Sequence, residues 1–298
     1  MYYIVLKPIS FLPFSLLYPI SDAMFIVIYR LVGYRKSVVF RNISNSFPEK
    51  TKEEVLQIQE GFYRHLCDVI VESIKLFSIS KKDLMNRFAI KNSELLQQYF
   101  ESGKNVILVG GHYNNWEIAG KGFDLNLQHQ AVGIYSPMRD KFFERKINES
   151  RTQFGVEIVA KANVPRAFVA TRDRTTVTIF GADQSPTYSK QVHWMNFLNQ
   201  ETAVHIGTEI FAMKYNYPVI FFQIHKQKRG FYEGVLETVS ENPSDMRKGE
   251  ITELHTRCLE KQINEDPQYW LWSHNRWKRK MNDEERMQYK DRAEYPAA

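Results

Sequence analysis

Cysteine is almost missing from this chain: 298 residues contain only Cys67 and Cys258, with no Cys-x-x-Cys and no histidine at zinc-ligand spacing. A disulfide framework and a structural zinc site are thereby excluded, and a reduced, cytoplasm-facing body is expected. The phosphate loop Gly-x4-Gly-Lys-Ser/Thr, the dinucleotide fingerprint Gly-x-Gly-x-x-Gly and His-Glu-x-x-His are also absent, so neither a nucleotide nor a metal cofactor is expected. No internal repeat, Gly/Ser linker or shift in composition divides the chain into two globular domains. An uninterrupted apolar run of about 18 residues, which a clean membrane-spanning helix needs, does not occur either.

What the chain has in surplus is aromatic surface, with 20 Phe, 16 Tyr and 5 Trp in a sequence that is 43% hydrophobic. That suffices for a large core, and the excess suits a protein that meets lipid or a long apolar ligand. Forty Lys and Arg against 34 Asp and Glu leave a net charge of +6, which favours anionic partners: phosphorylated lipid, acidic carrier protein or nucleic acid. The first 33 residues are the least globular. Tyr2 to Val5, Ile9 to Ile20 and Ala23 to Tyr29 are nearly all apolar, broken by Lys7, Pro8, Pro13, Pro19 and Asp22. Arg30, Arg35, Lys36 and Arg41 follow at once, and basic residues there hold the downstream body on the cytoplasmic side. An uncleaved membrane anchor or interfacial helix over 1–33 is therefore expected in preference to a buried core helix.

Further along, Val55, Ile58, Phe62, Leu66, Ile70 and Ile74 recur at helical spacing behind Thr51 and Glu54, a capping-box pair, which predicts a long amphipathic helix over 50–78. From Asn105 short apolar runs alternate with helical stretches. Strands are predicted at Val106–Val109, Ala131–Tyr135, Val156–Val159, Thr176–Phe180 and Val219–Ile224. Helices are predicted at Asn114–Phe123, Asp140–Phe154, Val164–Arg172, Thr202–Tyr215 and 246–265. Such alternation implies an α/β body over 34–280, with a largely parallel central sheet flanked by helices, and a charged, mobile tail over 281–298. Reactive groups in such sheets gather past the carboxyl ends of strands, where Gly110-Gly111-His112 and Gly181-Ala182-Asp183-Gln184 both stand.

The segment Gly110-Gly111-His112-Tyr113-Asn114-Asn115-Trp116-Glu117 carries the chemistry. Two glycines permit a sharp turn, His112 stands where strand passes into helix, and Glu117 lies in the helix's first turn. If the imidazole folds back over that turn, Glu117 can fix its tautomer while His112 takes a proton from an acceptor hydroxyl. A structural alternative stays open: Asn114-x-x-Glu117 is also a capping-box pattern, and His112 could be a turn residue satisfied by backbone.

The segment resembles the His-x4-Asp/Glu motif of lysophospholipid acyltransferases, and within that superfamily it is most similar to the late lipid A biosynthesis acyltransferases, whose members often read Gly-His-x-Gly-Asn-Trp-Glu; Asn114 stands where Gly is usual. Agreement extends in order through Tyr34-Arg35, Asn42, Ser46-Phe47-Pro48, Tyr135-Ser136-Pro137-Met138-Arg139, Arg151, Phe154-Gly155, Asp183-Gln184, Tyr269-Trp270-Leu271-Trp272, His274 and Arg276, from about Tyr3 to Lys280. The resemblance implies an enzyme of the bacterial inner membrane, its site toward the cytoplasm, that takes an acyl chain from acyl carrier protein and esterifies a hydroxyl of a lipid A precursor, an anionic lipid, without a cofactor. It further implies His112 and Glu117 as the catalytic pair, with Asn115, Trp116, Arg139, Arg151, Asp183 and Gln184 contacting substrate. A glycerol-based lysolipid or an aminolipid is the alternative acceptor. A non-catalytic lipid-binding protein is the alternative of another class.

Each helper has a plainer reading. Arg139 and Arg151 flank a charged helix that could be a solvated face, and Asp183 could merely form a turn. Trp194, Phe197 and Leu198 are expected in the core, or with Trp116 along an acyl channel. His193, His205 and His225 are expected to be structural. Trp270, Trp272 and Trp277 interleave with His274, Arg276, Lys278, Arg279 and Lys280; the mix could stack single-stranded nucleic acid but fits a membrane surface better, so no nucleic-acid partner is expected.

Overall fold

The computed structural model describes residues 2–186 and 191–290. Its strands are β1 (Phe88–Ile90), β2 (Val106–Gly110), β3 (Gln130–Tyr135), β4 (Glu157–Ala160), β5 (Thr176–Gly181), β6 (Val192–Phe197), β7 (Gln200–His205), β8 (Val219–Lys228) and β9 (Phe231–Ser240). Seven of them form one sheet in the order β1-β9-β8-β2-β5-β3-β4. The five from β8 to β4 run parallel, and β9 turns back antiparallel on β8. The α/β architecture with a largely parallel sheet is as the alternation predicts. β2 lies at the centre, and Val106 through Val109 are fully buried because helices cover both sheet faces. Ile107 and Val109 belong to one core, Val106 and Leu108 to the other, as the two-residue period of a strand requires.

The predicted amphipathic helix spans Lys52–Lys75, and its capping box is complete: Glu54 N–H donates to Thr51 Oγ1 (3.3 Å) and Thr51 N–H donates to Glu54 Oε2 (2.7 Å). One predicted helix is corrected. Residues 200–205 form β7 rather than helix, pair with β6 as a hairpin, and helix resumes only at Gly207–Tyr215. The hairpin turns on Leu198 and Asn199, both with positive φ (51° and 58°), which matches strand twist but is uncommon for leucine. Tertiary contact holds it there: Leu198 is buried, and its N–H donates to Glu260 Oε1 (2.6 Å).

The N-terminal stretch packs along the long helix by one face. Leu17, Ser21, Phe25 and Tyr29, four residues apart, are buried; Ser21 Oγ donates to Asp68 (2.7 Å), and the Tyr29 and Tyr63 rings lie 5.0 Å apart. The other face is bare, with Ile4, Leu16, Ile26, Val27, Leu31 and Val32 all exposed. By length and composition Phe14–Val32 is long and apolar enough to cross a membrane.

The tryptophan-rich segment near the C-terminus is corrected outright. Trp270, Trp272 and Trp277 are 2%, 0% and 8% exposed, so they form core and not a surface for headgroups. Each indole N–H has an internal acceptor: Asp183, the Pro267 carbonyl and Thr202 Oγ1 respectively. The expected mobile tail begins with structure as well: Met281 packs against Trp194 and Ala203, and a helix spans Asp283–Lys290. Residues 291–298 lie outside the described residues.

Candidate active site

β2 and β5 are neighbours in a register that sets Gly110 opposite Gly181. Two residues past each glycine come His112 and Asp183, which the sheet therefore brings together although 71 residues separate them. The Asp183 carboxylate is nearly sealed, its side chain 3% exposed, while that of His112 is 25% exposed. Asp183 Oδ1 lies 2.6 Å from His112 Nδ1, and Oδ2 accepts from the His112 backbone N–H (2.8 Å) and the Trp270 indole N–H (3.0 Å). A carboxylate against Nδ1 assigns the proton there, which leaves Nε2 as the acceptor.

Burial pushes the His112 pKa down, but the Asp183 charge and hydrogen bond outweigh it and hold the imidazole above its ordinary value. Burial likewise penalises the Asp183 anion, yet the charge and hydrogen bonds of His112, together with Trp270, hold its carboxyl well below the usual range. The close approach also depends on glycine: a Cβ at Gly181 would stand 3.3 Å from His112 Cε1, and one at Gly111 would stand 2.7 Å from Leu259 Cδ1.

His112 lines a cavity of about 340 Å³, within the usual size range of ligand sites. Trp116, Phe123, Ile134, Ile158 and Ile179 make its walls largely apolar, and Glu117 and Arg151 add charge to its lining. The Trp116 ring meets His112 edge-on at 5.2 Å. Gln184 Nε2 lies 3.3 Å from His112 Nε2, beside the nitrogen that would take a proton.

The structure places several of the expected residues differently from the sequence reading. Among the described residues Glu117 makes no hydrogen bond to His112. Its carboxylate is gripped by Arg151, with Nε to Oε2 at 3.1 Å and Nη2 to Oε1 at 2.6 Å. The helix begins only at Trp116, so Glu117 reaches the neighbouring helix Lys141–Arg151, while Asp183 already occupies Nδ1. The capping-box alternative fails too. Asn114 is left-handed (φ 52°), and Asn115 is the cap, its Oδ1 accepting from Ile118 N–H (2.9 Å) and its Nδ2 donating to Glu72 Oε2 (2.6 Å). Asn115 is fully buried, and both ends of its amide are engaged inside the protein. Arg139 is exposed, does not line the cavity and makes no ion pair among the described residues. Arg151 and Trp116 do line it. Trp194, Phe197 and Leu198 are core and do not. His193 is bonded to Glu253 and His225 to Gln223, in keeping with structural roles. Trp270 is a further residue whose place the sequence did not disclose: its motif was visible, but nothing in it tells a donor to a buried carboxylate from a membrane anchor.

A family model described as bacterial lipid A biosynthesis acyltransferase matches residues 1–279. A lipid A biosynthesis acyltransferase of Haemophilus influenzae is 24% identical over 163 residues, 54% of this chain and 51% of that protein, so this alignment spans about half the relative's length. The lipid A biosynthesis palmitoleoyltransferase of Escherichia coli is 19% identical over 248 residues, 82% of this chain and 79% of that one. A lipid A biosynthesis acyltransferase of Shigella flexneri matches to the same extent.

Proposed function

The chain belongs to the bacterial lipid A biosynthesis acyltransferase family, and from that premise we propose that it moves a fatty acyl chain from the thioester of acyl carrier protein to a hydroxyl of a lipid A precursor. His112 Nε2 takes the proton of the acceptor hydroxyl as its oxygen attacks the thioester carbonyl. The carbon–sulfur bond then breaks, and the imidazolium returns the proton to the departing thiolate, leaving an ester and a free thiol. Asp183, not Glu117, fixes the tautomer and stabilises the imidazolium. Glu117 instead holds the Arg151 guanidinium rigid at the cavity, where its charge suits an anionic part of a substrate. The observation that supports this reading is the His112–Asp183 pair, with Nε2 unclaimed by a carboxylate, on an apolar cavity in a chain of this family.

We further assign the protein to the cytoplasmic face of the bacterial inner membrane. Supporting this are the bare apolar face of the N-terminal helix and the cations Arg30, Arg35, Lys36 and Arg41 that follow it. Because the opposite face is packed on a helix bearing the buried carboxylates Asp68 and Glu72, an orientation along the surface suits it better than a span.

Mass spectrometry of lipid from cells producing each variant tests the chemistry. His112→Ala and Asp183→Asn should each lower acyl transfer by about 10² to 10⁴-fold without loss of folded protein. The base must be neutral to accept a proton, so the wild-type rate should climb as pH rises through the elevated His112 pKa. In Asp183→Asn the same climb should move to lower pH, because burial is then opposed far less. Undiminished transfer in His112→Ala would refute the mechanism.

A further inference from the structure

A second and much smaller cavity, of about 10 Å³, is lined by Asp183, His255, Thr256, Leu259 and Arg276, among others, and not by His112. Two of these residues are poorly accounted for. Arg276 is 3% exposed, and among the described residues no carboxylate is bound to it; there its one side-chain hydrogen bond runs from Nη2 to the Ala203 carbonyl (2.7 Å), and its Nε has no partner. His255 is 2% exposed, and its Nε2 is likewise without a partner. A buried guanidinium with so few of its five donors engaged is costly unless something nearby rewards the charge. The sealed anion on the same cavity wall is Asp183, and the cavity has room for about one water.

We infer that Arg276 is a positioning residue for the reaction, holding Asp183 ionised and aimed at His112 through a single water that also meets His255 Nε2. This inference rests on the His112–Asp183 pair acting as proposed. Arg276 touches neither substrate nor the reacting atoms. It acts by countering part of the Asp183 charge that His112 feels, and it tethers the β6–β7 hairpin to the site through Ala203. Burial pushes its own pKa down to about 10, while the Asp183 charge pulls it upward, so it remains a cation at neutral pH. The other titratable groups facing the pair are Glu117 and Arg151 at the larger cavity, His274 from the C-terminal loop and His255 from the helix Glu250–Glu265. Burial pushes His274 down to about 4 and His255 down to about 3, so both stay neutral through the range in which His112 titrates.

The test is the pH profile of acyl transfer in Arg276→Gln and Arg276→Lys beside wild type and His112→Ala. Loss of the cation leaves the Asp183 charge less opposed, so in Arg276→Gln the climb of rate with pH should shift upward by about one unit, with a lower plateau. Arg276→Lys, which keeps the charge, should leave the midpoint in place. A purely structural clamp on Ala203 would lower the rate of both variants and move neither midpoint, and that outcome overturns the inference. If Arg276→Gln does not fold, the Arg276 Nε–H resonance of the wild-type protein, identified by its loss in Arg276→Lys, decides the matter. It should titrate with the midpoint of the rate profile, and a signal unchanged across that midpoint overturns the inference. Activity retained in His112→Ala removes the catalytic reading itself; activity lost there with an unmoved midpoint in Arg276→Gln removes this inference alone.

Discussion

Two stretches of this protein read much alike as sequence and end in opposite places. Residues 2–32 and 269–280 are both rich in aromatic side chains, the first followed by cations and the second interleaved with them, and both were expected at a membrane surface. The first leaves Ile4, Leu31 and Val32 at 82%, 75% and 68% exposed, while the second buries Trp270 and Trp272 almost completely. The difference lies in what surrounds them. Among the described residues the N-terminal helix has one packed face and nothing against the other, whereas the tryptophans stack edge-on with one another and with Phe197 between the hairpin and the His112 turn. An aromatic–basic mixture is thus a statement about amphipathic side chains, and its location depends on whether each polar tip finds an acceptor inside.

The contrast is open to direct attack. Trp272→Ala should cost about 3 to 5 kcal/mol in urea unfolding, as for other fully buried tryptophans; a loss below about 1 kcal/mol would return the segment to the surface. Trp270→Phe keeps most of the buried ring but removes the N–H on Asp183, so turnover should fall about tenfold or somewhat more, with a much smaller change in unfolding free energy. At the other end, Leu31→Asp combined with Val32→Asp should leave stability within about 0.5 kcal/mol while sharply reducing sedimentation with anionic vesicles. Equal vesicle binding by that variant would show that the bare face does not meet lipid.

Much of the architecture was legible in the pattern of residues. The apolar runs of β2, β3, β4 and β5, the Thr51–Glu54 cap and the glycines at both strand ends located the elements and the segments that carry the site. The hairpin β6–β7 was not legible, because Leu198 and Asn199 lack the glycine that ordinarily marks such a turn and tertiary contacts hold the leucine in its left-handed conformation. The identity of the carboxylate on His112 was not legible either. Motif spacing drew attention to Glu117, five residues away, although Asp183 was also visible past the end of its own strand.

The sequence by itself determined that His112 and Asp183 would stand where strands give way to turns, with Glu117 in the helix after the first, since hydrophobic period and glycine placement act over a few residues. Only the tertiary structure decided that β5 lies beside β2 in the register that faces Gly110 with Gly181. Hydrogen bonding across the sheet thereby joins His112 to Asp183, and helix packing turns Glu117 away to Arg151. Partners across a sheet are fixed by the order in which distant strands assemble, and no local periodicity records that order.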